Sequence, residues 1–366
     1  MHSKILVNAG FYLLLLFALS ITIFPPAAYL LALAVISIWL LDLLIFREPR
    51  FVDQPLFYPI IALNVFIILA WVLSRLHRGN LDLFLLGPSF VFYLAVSGFV
   101  ISSEQRRMLL WTFVAGVIVA VGTALTNWWA LFPVEMTPIW IGRQSMFLVA
   151  LAFSAVVGFY VEALDLRERF FLGLVAIPLA LTLILSLEKA CIMALFLALI
   201  LAALLRGGRV LIPIAFMAIA MLTVFLLVSH LFDGDAAIRE YADFAVAPFK
   251  EIASGPSELD AVGFFGGTTS RNEFRPTDEN QANPFFLDLP LKYGPPVFIV
   301  LLWILIARAA ESFTKRRKVA DVEGRSYHMA VLLLILSLFI LNLYGDALAY
   351  PQVILVSWLI MGVSEI

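Results

Sequence analysis

Charge is scarce in this 366-residue chain, with Asp, Glu, Lys and Arg together making up 14% of it. Soluble globular proteins carry about a quarter. The apolar share is 63% and the mean hydropathy +1.01. These values exclude a soluble class and leave an all-α polytopic integral membrane protein. The formal net charge of −2 gives no footing for nucleic acid as a partner. A single cysteine, Cys191, excludes an intramolecular disulfide framework. Histidine is also rare: only His2, His77, His230 and His328 occur, none in a metal-ligand spacing, and no zinc motif is present. There is no phosphate-cradling GxxxxGK run followed by Ser or Thr, which argues against ATP-driven work in this chain. Internal repeats, heptads and low-complexity tracts are missing too.

What the chain has is long hydrocarbon runs. A membrane-crossing helix needs about 20 apolar residues, and about twelve such stretches follow one another. They are roughly 5–24, 27–46, 56–74, 83–101, 108–130, 144–162, 170–187, 190–205, 210–228, 292–310, 328–344 and 350–364. The first, preceded by Lys4, reads as a membrane helix and not as a cleavable leader, because no small-residue cleavage site follows it. Pro25-Pro26 splits the first long run into a hairpin, since proline cannot continue a helix. The run Phe171–Leu205 would measure about 52 Å as one helix. That exceeds a hydrocarbon core of about 30 Å, so a hairpin turning at Glu188-Lys189 is expected.

Orientation follows from the basic residues. With the amino terminus inside, Lys4, Arg47, Arg50, Arg106, Arg107, Arg167, Arg169, Arg206, Arg209, Arg308, Lys315, Arg316, Arg317, Lys318 and Arg325 are cytoplasmic, 15 of the 24 Lys and Arg. This agrees with the positive-inside rule. Both termini then face the cytoplasm. The one long polar stretch, Ser229–Pro290, becomes an external loop between segments nine and ten of a single membrane domain. It carries eleven acidic and four basic side chains.

Several residues break the apolar pattern at the outer side. Arg143 opens a segment in WIGRQSMF, where it could snorkel to headgroups or hold an anionic ligand. Lys189 sits at the tip of the 35-residue run, where spacing favours local pairing with Glu188. Arg75 and Arg78 flank His77 and suit phosphate through their planar forks, whether on a lipid or on a ligand. VGFFGG in the loop supplies Gly263, Gly266 and Gly267 for a flexible turn. NPFFLDLPLKYGPP, from Asn283 through Gly294, suggests a helical entry into segment ten with Asp288 near its mouth, and Asp346 falls on the same face.

Together these features resemble the bacterial O-antigen ligase and polysaccharide polymerase superfamily. WIGRQSMF is similar to that family's arginine-bearing entry to a mid-chain helix, and LSLEKACIMALFLALILAAL to its segment with a small or polar pair before a cation, here Lys189. VGFFGG resembles its glycine-rich loop element. NPFFLDLPLKYGPP resembles its Asn, aromatic and Leu element followed by a glycine. The ligases of the family carry a histidine before that asparagine, where this chain has Ala282, which points to the polymerase branch.

The resemblance implies a metal-independent glycosyltransferase of the bacterial inner membrane that needs no cofactor. Its donor would be an undecaprenyl-pyrophosphate-linked glycan and its acceptor another glycan or lipid, with a chain-length regulator protein as a possible further partner. It implies Arg143 and Lys189 as the grip on the pyrophosphate, with Arg271 or Arg275 contributing from the loop. The proton acceptor would be Asp288, or else Glu279 or Asp346. A ligase acting on a lipid A core and, in another class, a transporter of lipid-linked glycan stay open. A transporter is expected to show internal repeats and charges near the bilayer midplane.

Overall fold

The structure is a computed structural model that describes residues 2–46, 56–73, 89–100, 102–131, 142–206, 212, 215, 218–225, 285–286, 289–290 and 294–363. Among the described residues there is helix and no strand. Eleven α-helices follow in chain order: α1 (His2–Ile23), α2 (Pro25–Phe46), α3 (Phe57–Leu73), α4 (Phe90–Phe99), α5 (Ser103–Leu131), α6 (Arg143–Glu162), α7 (Leu166–Ser186), α8 (Lys189–Arg206), α9 (Pro295–Lys318), α10 (Val322–Tyr344) and α11 (Pro351–Val363). Residues 218–225 are also helical. Eight of the eleven are long and apolar enough to cross a membrane, while α3, α4 and α11 are apolar but shorter.

Local chemistry sets most of the ends. α1 stops before Phe24 and α2 begins with Pro25, whose missing N–H and fixed φ suit the first helical position. The long run breaks as expected: Leu187 takes a left-handed φ of 54° between α7 and α8. Asp165 caps α7 by accepting from the backbone N–H of Arg167 at 3.2 Å, and Asp321 caps α10 by accepting from Gly324 at 2.7 Å. The Asp321 cap explains why α10 starts six residues before the apolar stretch at 328. Likewise α9 runs past 310 to Lys318, carrying four cations in its last turn, where they complement the carbonyl end of the helix dipole.

Helices α6 and α10 form the centre. Some 83% of the apolar window of each is buried, against 17% for the peripheral α2. They run antiparallel and touch through small residues. A Cβ built on Gly158 would stand 2.3 Å from the Cα of Ala330, so only glycine permits this backbone approach. One turn away, Ser154 Oγ and Ser337 Oγ share a 2.6 Å hydrogen bond. In lipid there is little hydrophobic drive between helices, and close contact between small residues with an occasional hydroxyl bridge supplies the adhesion. Large apolar side chains such as Leu30, Leu44, Leu166 and Phe170 stay exposed on the perimeter, as a lipid-facing surface requires.

Gly158→Ala is expected to push α6 and α10 apart and to lower stability in detergent micelles by about 1–3 kcal/mol. Ser337→Ala should cost only about 0.6 kcal/mol. Thermal or SDS unfolding of the purified chain measures both, and equal losses for the two variants would contradict this ordering.

Candidate functional site

At one end of the bundle four polypeptide segments converge: the start of α6, the α7–α8 turn, the α10–α11 corner, and residues 285–286. The corner is pinned from within. Asn342, fully buried, donates through Nδ2 to the carbonyl of Leu338 at 2.7 Å, and its Oδ1 accepts the backbone N–H of Leu348 at 2.8 Å. Gly345 then packs so closely that an added Cβ would meet the Ala190 Cβ at 3.2 Å and the Phe147 ring at 3.5 Å. Ala190 follows Lys189, and Phe147 lies one turn along α6 from Arg143. Packing at Gly345 therefore brings Asp346 beside Arg143, with the backbone of the Lys189–Ala190 step close by.

Arg143 is the hub. Its Nη2 donates to Glu188 Oε1 at 3.2 Å, and its Nε stands 3.7 Å from Asp346 Oδ1. The guanidinium carbon lies 5.9 Å from the centre of the Phe147 ring, which in turn sits 5.7 Å from the Tyr350 ring. The Arg143 side chain is 23% exposed and two carboxylates hold it. Tyr350 follows the short 3-10 turn Ala347–Ala349. Burial first, and then the Asp346 carboxylate, push its phenol above the usual range, while the Arg143 guanidinium pulls the other way.

Sequence reading singled out Arg143, Lys189 and Asp346, and in the structure Arg143 meets Asp346 while Lys189 opens α8 next to Glu188. It set Glu188 aside as a turn residue and passed over Tyr350. The signal for Glu188 was its position at the predicted hairpin tip, where a buried outer-end cation needs a counter-charge. Gly294, with φ 86°, precedes α9 and donates its N–H to Pro290 at 2.9 Å. Asp288, Glu279, Arg271, Arg275, Gly263, Gly266, Gly267 and Asn283 lie outside the described residues. The segment just after Asn283 is nonetheless anchored beside the hub. Phe285 donates its N–H to the carbonyl of Gly345 at 2.7 Å, and Phe286 packs its ring against Phe298 and Phe339.

The opposite end carries a second charged cluster. The carboxylate of Glu162, 1% exposed, accepts from Arg316 Nε at 2.7 Å and pairs with Arg206 Nη1 at 2.8 Å, tying the last turns of α6, α8 and α9 together. Arg308, fully buried, bonds Glu311 and donates to the carbonyl of Met361 at 2.6 Å. Removing either partner of so buried a pair is costly, which makes this end a structural clamp. The Arg143 cluster is looser, with its three side chains 23–28% exposed and one ion pair stretched to 3.7 Å. Comparison with protein-family models and with curated proteins finds no match to this chain.

A double-mutant cycle between Arg143→Gln and Glu188→Gln is expected to show a coupling of about 1 kcal/mol. Thermal stability of the four purified forms measures it. Strict additivity of the two substitutions would show that the pair is not formed.

Proposed function

We propose that this chain is a glycosyltransferase of bacterial surface-polysaccharide biosynthesis, polymerising undecaprenyl-pyrophosphate-linked oligosaccharide at the outer face of the inner membrane. The observation that carries the reading is the convergence of Arg143, Lys189 and Asp346 at one bundle end, beside the chain that returns from the long polar stretch. The resemblance of those segments to the ligase and polymerase superfamily gives the chemistry. Within that superfamily, Ala282 in place of the ligases' histidine favours polymerisation over transfer to a lipid A core.

In this reaction the acceptor hydroxyl oxygen bonds to the anomeric carbon of the donor sugar. The bond from that carbon to the pyrophosphate oxygen breaks, and the lipid pyrophosphate leaves with the bonding electrons. The departing oxygens gain negative charge, which a fixed guanidinium and ammonium stabilise in the transition state. Arg143 and Lys189 are the proposed grip, with Arg271 and Arg275 contributing from the loop. Arg143, Lys189, Glu188 and Asp346 sum to zero formal charge, so a bare pyrophosphate binds by exchange. Phosphate oxygens replace the weakly held Asp346 on the guanidinium, whose planar fork suits two phosphate oxygens. Glu188, at 3.2 Å, keeps the fork oriented during the exchange. Asp346, released, is positioned to take the acceptor's proton. Asp288 and Glu279 remain alternative acceptors.

The test is polymer formation in membranes supplied with the lipid-linked oligosaccharide. Lys189→Gln and Asp346→Asn should each cut polymer yield at least about a hundredfold, the worth of one oriented charged group in a transition state, at unchanged protein level. Arg143→Lys should retain the fold and lose most of the activity, because a point charge cannot bond two oxygens in one plane. Wild-type polymer length and amount in all three variants would overturn the assignment.

A further inference from the structure

Arg143 has a third oxygen partner, and it is the one that carries no charge. Besides Glu188 and Asp346, the phenol of Tyr350 stands within hydrogen-bonding reach of the guanidinium, which donates to its oxygen. Tyr350 is partly exposed, as are Arg143, Glu188 and Asp346, so the group can be reached from outside the bundle. Its backbone is fixed on both sides. The Tyr350 N–H donates to the carbonyl of Ala347 at 3.2 Å, and its carbonyl accepts from Ile354 at 3.0 Å. Pro351 follows and restricts it to the extended region, at φ −97° and ψ 124°. The same short turn begins at Asp346, whose carbonyl accepts from Ala349 at 2.8 Å. The Tyr350 ring rests against Phe147, a fully buried side chain that also faces the Arg143 guanidinium. One rigid ring therefore backs both polar groups.

The three partners respond differently to an incoming anion. Glu188 and Asp346 are carboxylates and repel it. A phenol is protonated at neutral pH and offers one O–H donor besides its accepting oxygen. With Arg143 bonded to that oxygen, the O–H is polarised and becomes a stronger donor. The guanidinium and the phenol thus form a pair of adjacent donors that need not separate when a counter-ion is exchanged. We propose that Tyr350 is a further substrate-binding residue of this site, its O–H donating to an oxygen of the diphosphate that Arg143 holds. On the glycan-transfer reading, on which this role rests, that oxygen belongs to the lipid-linked leaving group.

Isothermal titration of inorganic pyrophosphate into the purified full-length chain in micelles tests the role, at a pH of about 6 where phenols are protonated. The wild-type chain is expected to bind. Tyr350→Phe keeps the ring on Phe147 and removes one hydroxyl, so it should fold and yet weaken pyrophosphate at least about tenfold, the worth of a hydrogen bond to a charged acceptor. Fluorotyrosine placed at position 350 by amber suppression separates donation from simple support of Arg143. Ring fluorine makes the phenol a stronger donor and a weaker acceptor, so binding should tighten. Undiminished binding in Tyr350→Phe, or binding no tighter with fluorotyrosine, would overturn the role of Tyr350 and leave the Arg143 grip standing. No binding by the wild-type chain, or equal binding by Arg143→Lys, would overturn the grip itself and the role of Tyr350 with it.

Discussion

The structure depends on how closely α6 and α10 approach. Gly158 against Ala330 lets two backbones touch, and the Ser154–Ser337 bridge fixes their register. Because the helices run antiparallel, that single register decides what stands at both ends. It sets Arg143, at the first residue of α6, level with the corner after Tyr344 that carries Asp346. It also sets Glu162, at the last residue of α6, level with the first turns of α10. A bulkier residue at 158 would alter the spacing at both charged ends together. Small residues recur for the same reason where α1 meets α5, since a Cβ on Gly116 would stand 2.4 Å from the carbonyl oxygen of Leu19.

The two ends then divide the work by how tightly their charges are held. Charge at membrane depth is costly and is tolerated where it is paired or faces a cavity. In the Glu162 cluster the carboxylate is 1% exposed and bonded to two arginines, the arrangement of a clamp that should not move. The Arg143 cluster is about a quarter exposed, with one partner at hydrogen-bond distance and another just beyond it. An arginine held by one firm and one loose carboxylate keeps its orientation while exchanging a counter-ion. That property is what the proposed pyrophosphate site needs.

Much of the helical layout was legible in the sequence because hydropathy and proline write it directly. The hairpin at Pro25-Pro26 and the turn near Glu188 follow from length and chain chemistry alone. Ends governed by polar caps were less legible: Asp321 starts α10 well before the hydrocarbon run does, and the last turns of α9 are basic. Of the site, the isolated outer cations Arg143 and Lys189 stood out because charge is rare in this chain. Glu188 and Tyr350 did not, since their meaning comes from a tertiary contact made when Gly345 packs on Phe147 and Ala190. The buried Glu162, Arg206 and Arg316 node was equally hidden, because residues scattered among basic loops look solvated until three helix ends meet.

Glycan transfer at the Arg143 end, the central claim, is tested most directly in proteoliposomes holding only this chain and a lipid-linked oligosaccharide. The measurement is the ratio of undecaprenyl pyrophosphate released to glycosidic bonds formed. The proposed chemistry predicts one carrier released for each bond. Donor that crosses the bilayer with its pyrophosphate linkage intact, and no new bond, would contradict it and make the chain a transporter.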